Sequence, residues 1–164
     1  MRWLVLILLM FVSSCGYRAT DFTEKKAEGK LQDIFCVRSV DINTPEATAV
    51  DIFYRYVSQA VLSAGYRLEC SKWTDRYVYL TVKRLDVKPI GYSISQRAYI
   101  YKVSGIMELT VEDKEKNVIL SREIWETVQY IGSGLSADIE RRYAIEELAR
   151  LVEARIFSIL TELE

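Results

Sequence analysis

Two tracts of alternating polarity decide most of what this chain can become. From Tyr77 to Leu85, Val78, Leu80 and Val82 fall on one side, and Tyr77, Tyr79, Thr81 and Lys83 on the other. In the second tract Tyr99, Tyr101, Val103, Met107, Leu109 and Val111 share one side. A period of two sends successive side chains to opposite faces, so each tract predicts a β-strand with one face in a core and one toward water. Such strands need a second layer over their apolar face.

Two helical patterns supply that layer. Thr44-Pro45-Glu46 is a helix start: a capping hydroxyl, a proline where no amide partner is needed, and a carboxylate beside the positive helix end. Val50, Phe53, Val57, Ala60 and Ala64 then recur at three- and four-residue spacing, Asp51 and Arg55 make a pair on the solvent side, and Gly65 stands where a C-terminal cap belongs. Ser136 caps a second, longer helix, with Asp138 and Glu140 in its first turns. Its stripe is Ile145, Ala149, Val152, Ile156 and Leu160, widened by Leu148, Leu151 and Ile159, while Glu146, Glu147, Arg150 and Glu153 face solvent.

Shorter signals fill the gaps. Leu31 to Val40 reads as a first strand and Tyr66 to Cys70 as a short returning one. Pro89-Ile90-Gly91 reads as a break between the long strands, Asp113 to Asn117 as a turn, and Gly132-Ser133-Gly134 as the end of the sheet. Val118 to Ile131 is a returning strand whose apolar residues change parity between Leu120 and Trp125, which predicts a bulge or a strand covered on both faces. The expected fold is α+β: a single two-layer domain over 31–164, with an about four-stranded, mostly antiparallel sheet and two helices packed on one face, in the order β-α-β-β-β-β-α.

Ahead of the domain, Arg2 is followed by an apolar run from Trp3 to Val12 and then Ser13-Ser14-Cys15-Gly16-Tyr17. An apolar stretch of about ten residues is too short for a span, which needs roughly 20, and fits a secretion signal covering 1–14. A branched aliphatic residue, two small ones and a thiol form the pattern that lipoprotein-processing enzymes act on. Cys15 is therefore expected to carry acyl chains at the new N-terminus, at roughly 0.8 kcal/mol per buried methylene. Residues 15–30 are polar and charged and read as a tether between membrane and domain. Gly16, in the position after the lipidated cysteine, predicts sorting to the outer membrane by enterobacterial logic.

Charge and chemistry exclude several function classes. Loss of Arg2 from 22 Lys plus Arg, against 23 Asp plus Glu, leaves a formal −2, which gives no support to nucleic-acid binding. The chain has no histidine, which removes Ser-His and Cys-His nucleophile pairs and most catalytic metal sites. Its seven glycines form no phosphate loop. No enzyme activity, metal or cofactor is expected. Cys36 and Cys70 remain after lipidation. In an oxidising compartment they pair as a disulfide or stay as two separate buried thiols, and without histidine they do not make a zinc site.

The start Cys15-Gly16-Tyr17, the strand-helix opening, the run Ser95-Gln96-Arg97-Ala98-Tyr99, the hairpin and the final amphipathic helix together resemble the lipopolysaccharide-assembly lipoprotein family of the outer membrane, LptE. That resemblance implies a subunit that sits as a plug inside a β-barrel translocon, helps the barrel fold, and contacts lipopolysaccharide on its way to the surface. Its partners would be that outer-membrane β-barrel protein, lipopolysaccharide, and the membrane through the N-terminal lipid. Of the 11 tyrosines, Tyr77, Tyr79, Tyr92 and Tyr99 near strand ends are the candidates for barrel contact, although tyrosine is also an ordinary strand residue. Lipid A phosphates call for cations, and Lys83, Arg84, Lys88, Arg97 and Lys102 surround the break between the long strands. Some members of that family carry basic residues in the hairpin loop and just before the last helix, where this chain reads Tyr92-Ser93-Ile94-Ser95 and Gly134-Leu135-Ser136-Ala137. The alternative from another class is a lipid-anchored periplasmic binding or scaffold domain with a different envelope partner.

Overall fold

The structure, a computed structural model, describes residues 33–43, 47–94, 98–132 and 137–163. The leader, Cys15, the tether and both helix-capping segments lie outside the described residues. The elements are β1 (Ile34–Ile42), α1 (Ala47–Ser63), β2 (Arg67–Leu68), β3 (Arg76–Tyr92), β4 (Ala98–Asp113), β5 (Val118–Ile131) and α2 (Ala137–Thr161). The strands form one sheet in the order β2-β1-β3-β4-β5. β1 runs parallel to both β2 and β3, whereas β3, β4 and β5 form an antiparallel meander. The α+β two-layer class and the element order agree with the sequence. The sheet has five strands rather than about four, because the two-residue β2 pairs along the outer edge of β1.

Both helices cover the same face. α1 lies over β1 and β2, α2 over β4 and β5, and the two helices pack against each other. Phe35, Val37 and Val40 of β1, Val78, Leu80 and Val82 of β3, and Val103, Met107, Leu109 and Val111 of β4 meet Phe53, Val57 and Val61 of α1 and Leu148, Val152, Ile156 and Leu160 of α2. Full burial of a side chain of this kind is worth roughly 1.5–3 kcal/mol, so the common apolar layer fixes the architecture. α1 ends in a Schellman cap: the Tyr66 amide donates to the Val61 carbonyl at 3.3 Å, the Gly65 amide donates to Leu62, and Gly65 takes φ 88°. The Tyr66 hydroxyl then donates to the Leu160 carbonyl at 2.9 Å, tying the end of α1 to the end of α2. Arg55, expected beside Asp51, reaches across to Glu146 of α2.

Two expectations are corrected. Pro89-Ile90-Gly91 is not a break, since β3 continues to Tyr92 and Pro89 pairs with Tyr101. The bulge at Lys83 hides the continuation by changing the parity of the inward residues, from Val78, Leu80 and Val82 to Leu85 and Val87. Proline is tolerated because β1 accompanies β3 only as far as Val82, and beyond it no described strand pairs with that edge of β3 and calls for an amide donor. β5 has no bulge between Leu120 and Trp125, and no second cover among the described residues. Its register with β4 is unbroken from Leu120 to Ile131, and the only shift lies at Ile119, beside the turn. Ile124 is buried under α2, and Trp125 stands 67 % exposed on the opposite face.

Candidate interaction surface

Because both helices pack on one side, the other side of the sheet is left without a described covering layer. Every second residue of the long strands points there. The β3–β4 register places Arg84 opposite Ile106, Asp86 opposite Ser104 and Lys88 opposite Lys102, and the β4–β5 register adds Glu108 opposite Glu123 and Ile106 opposite Trp125.

The charges on this face are organised in pairs. Lys83 lies 3.1 Å from Glu108 and 3.2 Å from Glu123. Glu108 also accepts from the Ser121 hydroxyl, and Glu123 accepts from the Trp125 indole N–H at 2.6 Å. The hydrogen bond that it donates to Glu108, and then the one to Glu123, raises the Lys83 ammonium above its ordinary value. Lys83 holds Glu108 low; Glu123 is held low first by the Trp125 indole and then by Lys83. All three therefore stay ionised across the neutral range. Asp86 sits between Arg84 at 2.5 Å and Lys88 at 3.6 Å. This arrangement is close to charge balance, unlike a uniform cationic patch, and its exposed pairs are screened by salt.

Of the residues singled out in the sequence, Lys83, Arg84, Lys88 and Lys102 are thus gathered on one face. The first three are in ion pairs, while Lys102 is exposed and has no ion pair among the described residues. Arg97 lies outside the described residues. Tyr77 and Tyr79 are half-buried on the same open face, beside β1. Burial, and then the charge and hydrogen bond of Glu112, push the Tyr79 phenol up, so it remains a neutral hydroxyl. Tyr92 is 61 % exposed at the end of the β3–β4 hairpin; Tyr99 belongs to β4, but its side chain is outside the description. Cys36 of β1 and Cys70, just after β2, are joined as a disulfide with Cα atoms 4.7 Å apart. Among the described residues no helix is long and apolar enough to cross a membrane, and no cluster of metal-ligating side chains occurs.

Sequence reasoning singled out Tyr92 but missed the other exposed apolar residues. Ile90, Tyr92 and Ile94 crowd the hairpin end, Ile94 being fully exposed, and Ile131 and Tyr143 flank a groove of about 290 Å³ between β5 and α2 at the same pole. Trp125 had left a signal in the sequence, namely the parity change in its strand. The hairpin isoleucines had none, because exposure of an apolar residue at a strand end depends on where the helices stop. A concentration of exposed apolar side chains of this kind is a feature of surfaces that meet a protein, a membrane or a ligand.

No family model matches this chain, and no curated relative does. Solved structures do share its fold. A Caulobacter crescentus protein described as a lipoprotein aligns with TM-score 0.58 at 13 % identity, covering 83 % of this chain and 93 % of its own. Rare lipoprotein B from Shewanella oneidensis gives 0.54 at 13 %, covering 78 % and 93 %. A Helicobacter pylori protein described as a homologue of neuraminyllactose-binding hemagglutinin gives 0.56 at 15 %, covering 82 % and 84 %. At these identities the likeness is one of fold.

Proposed function

We propose that this chain is a lipid-anchored outer-membrane lipoprotein that seats itself as a plug in a large β-barrel translocon and assists lipopolysaccharide insertion at the cell surface. The observation that supports it best is the open sheet face continued by the β3–β4 hairpin. A plug inside a water-lined wall needs a rigid polar surface with a few protruding aromatic and aliphatic anchors, and the Lys83–Glu108–Glu123 network with Trp125, Tyr92 and Ile94 has that character. The Cys15 context supports the anchor, and fold-sharing with lipoproteins agrees with it. The proposed role is one of assembly.

A second reading has its own observation. Lys83, Arg84 and Lys88 are already neutralised by carboxylates, which weakens capture of a polyanionic glycolipid and favours an anchored periplasmic scaffold that binds another envelope protein. Affinity purification from detergent-solubilised membranes separates the two. Under the first reading a large outer-membrane barrel protein comes along, and depletion of the lipoprotein leaves lipopolysaccharide missing from the surface. If the main companion is a non-barrel envelope protein and surface lipopolysaccharide is unchanged, the first reading fails and the second stands. Palmitate labelling of wild type but not of Cys15→Ala tests the anchor in the same cells.

A further inference from the structure

The two edges of the sheet differ sharply. One ends in β2, two residues long and held by the disulfide beside it; the other is β5, with 14 residues and no proline. No described segment pairs with the outer edge of β5. A long edge of this kind is a template for another strand unless the sequence blunts it. We propose that β5 pairs with β5 of a second copy, antiparallel about a twofold axis at Ile124, to join the two sheets into one.

The residues of β5 specify this register. Antiparallel partners stay on matching faces only when their numbers sum to an even value, since a slip of one residue exchanges the two faces. With Ile124 on the axis, Ile124 meets its own copy and Leu120 meets Val128, both on the helix-covered side. Arg122 faces Glu126, and the symmetry repeats that pair. Arg122 is exposed and has no ion pair among the described residues, while Glu126 is held by Arg155 at 2.7 Å through Oε1. On the open side Ser121 meets Thr127 and Glu123 meets Trp125. Moving the axis to residue 123 opposes two Glu123 carboxylates, and moving it to residue 125 leaves Arg122 against Val128 and Glu126 against Ile124. Of these three registers only the central one matches charge with charge and apolar with apolar on the helix-covered side.

The space beside the edge suits the same occupant. Between β5 and α2 lie two hollows of about 270 and 290 Å³, the first bordered by Ile124, Trp125 and Ile159 and the second by Val128, Ile131 and Tyr143. The apolar side chains of an incoming β5 would fill them. This pairing concerns the chain free of a larger partner and does not depend on the barrel reading.

Charge exchange tests it in the full-length lipoprotein, purified in detergent, with mass measured by sedimentation equilibrium at the density of the micelle. Wild type should show a reversible dimer. Arg122→Glu and Glu126→Arg each turn two attractive cross-strand pairs into two repulsive ones and should weaken dimerisation by about tenfold or more, at up to ~1 kcal/mol per pair. The double variant restores opposite charges across the axis and should recover the wild-type constant within a few-fold, which also shows that the substitutions leave the fold intact. A wild type that remains monomeric at every concentration overturns the proposal, as does a dimer indifferent to both single exchanges.

Discussion

At the scale of single residues, Cys36 and Asp75 hold the start of the sheet together from opposite sides. The Cys36–Cys70 bond spans 34 residues of sequence and fixes the chain just after β2 to β1, a strand that β2 otherwise meets at only two register positions. Closing a loop of that length corresponds to roughly 4 kcal/mol in the chain-entropy model. Reduced protein is therefore expected to unfold at clearly lower urea than oxidised protein, and paired urea titrations with intact-mass control of the thiols measure the gap. Asp75 accepts the Ile34 amide at 2.9 Å and pairs with Lys114 at 2.7 Å, joining β1, β3 and the β4–β5 turn. The hydrogen bond from Lys114, then that from Ile34, holds its carboxyl below the ordinary range. A depressed native value means that the unfolded chain binds the proton more readily. The contribution is thus full above about pH 3.9 and is lost as pH falls through and below that value. Asp75→Asn should cost no more than about 1 kcal/mol near neutrality, since the pair is partly exposed, and the difference from wild type should vanish in acid. Chemical denaturation at pH 7 and pH 2.5 checks both halves. The cysteines were legible in the sequence as two thiols that could pair. Asp75 was not, because its partners come from two distant elements that only the strand register brings together.

Among elements, the contact between β4 and α2 depends on one missing side chain. A Cβ on Gly105 would collide with the Met107 methyl and come within 3.1 Å of Leu148 Cδ2. Gly105→Val should force Met107 aside and lift α2, costing about 1–3 kcal/mol, whereas Gly105→Ala should cost less because the thioether end can swing away. Urea midpoints of the two variants should fall in that order, and a valine variant as stable as wild type would refute the close approach. Both helices were legible, because a 3.6-residue stripe and its caps are local signals. The same holds for the inward face of β4, whose period of two continues from Val103 to Val111. Strand continuity was less legible in β3, where the bulge at Lys83 resets the period and Pro89 imitates a stop. The parallel position of β1 between β2 and β3 left no trace in periodicity, which reports the face of a residue and not its neighbour. For the same reason the cations of the open face could be listed from sequence, but not the carboxylates of Asp86, Glu108 and Glu123 that neutralise them.

The whole molecule has two poles. β1 begins at Ile34, beside Arg76 and the β4–β5 turn, at one pole; the end of the β3–β4 hairpin lies at the far pole. Seventeen residues of β3 at about 3.3 Å each set the poles roughly 50 Å apart. If the far pole engages the partner, Ile94→Asp should leave stability within about 0.5 kcal/mol of wild type, because the side chain is fully exposed, yet reduce recovery of the partner from solubilised membranes. Thermal melts alongside quantitative pull-downs separate these effects, and undiminished recovery would remove the hairpin from the interface. The parallel placement of β1 also bears on time. Any chain that emerges N-terminus first completes β1 well before β3, its main partner, which begins only at Arg76. The β3–β4–β5 meander can zip from neighbouring turns, whereas docking β1 on β3 closes a loop that contains all of α1 and β2. Non-local pairings of this kind are slow. The newborn β1–α1–β2 unit must therefore keep Phe35, Val37 and Val40 from other strands until the meander arrives, an interval in which a holding chaperone has most to protect.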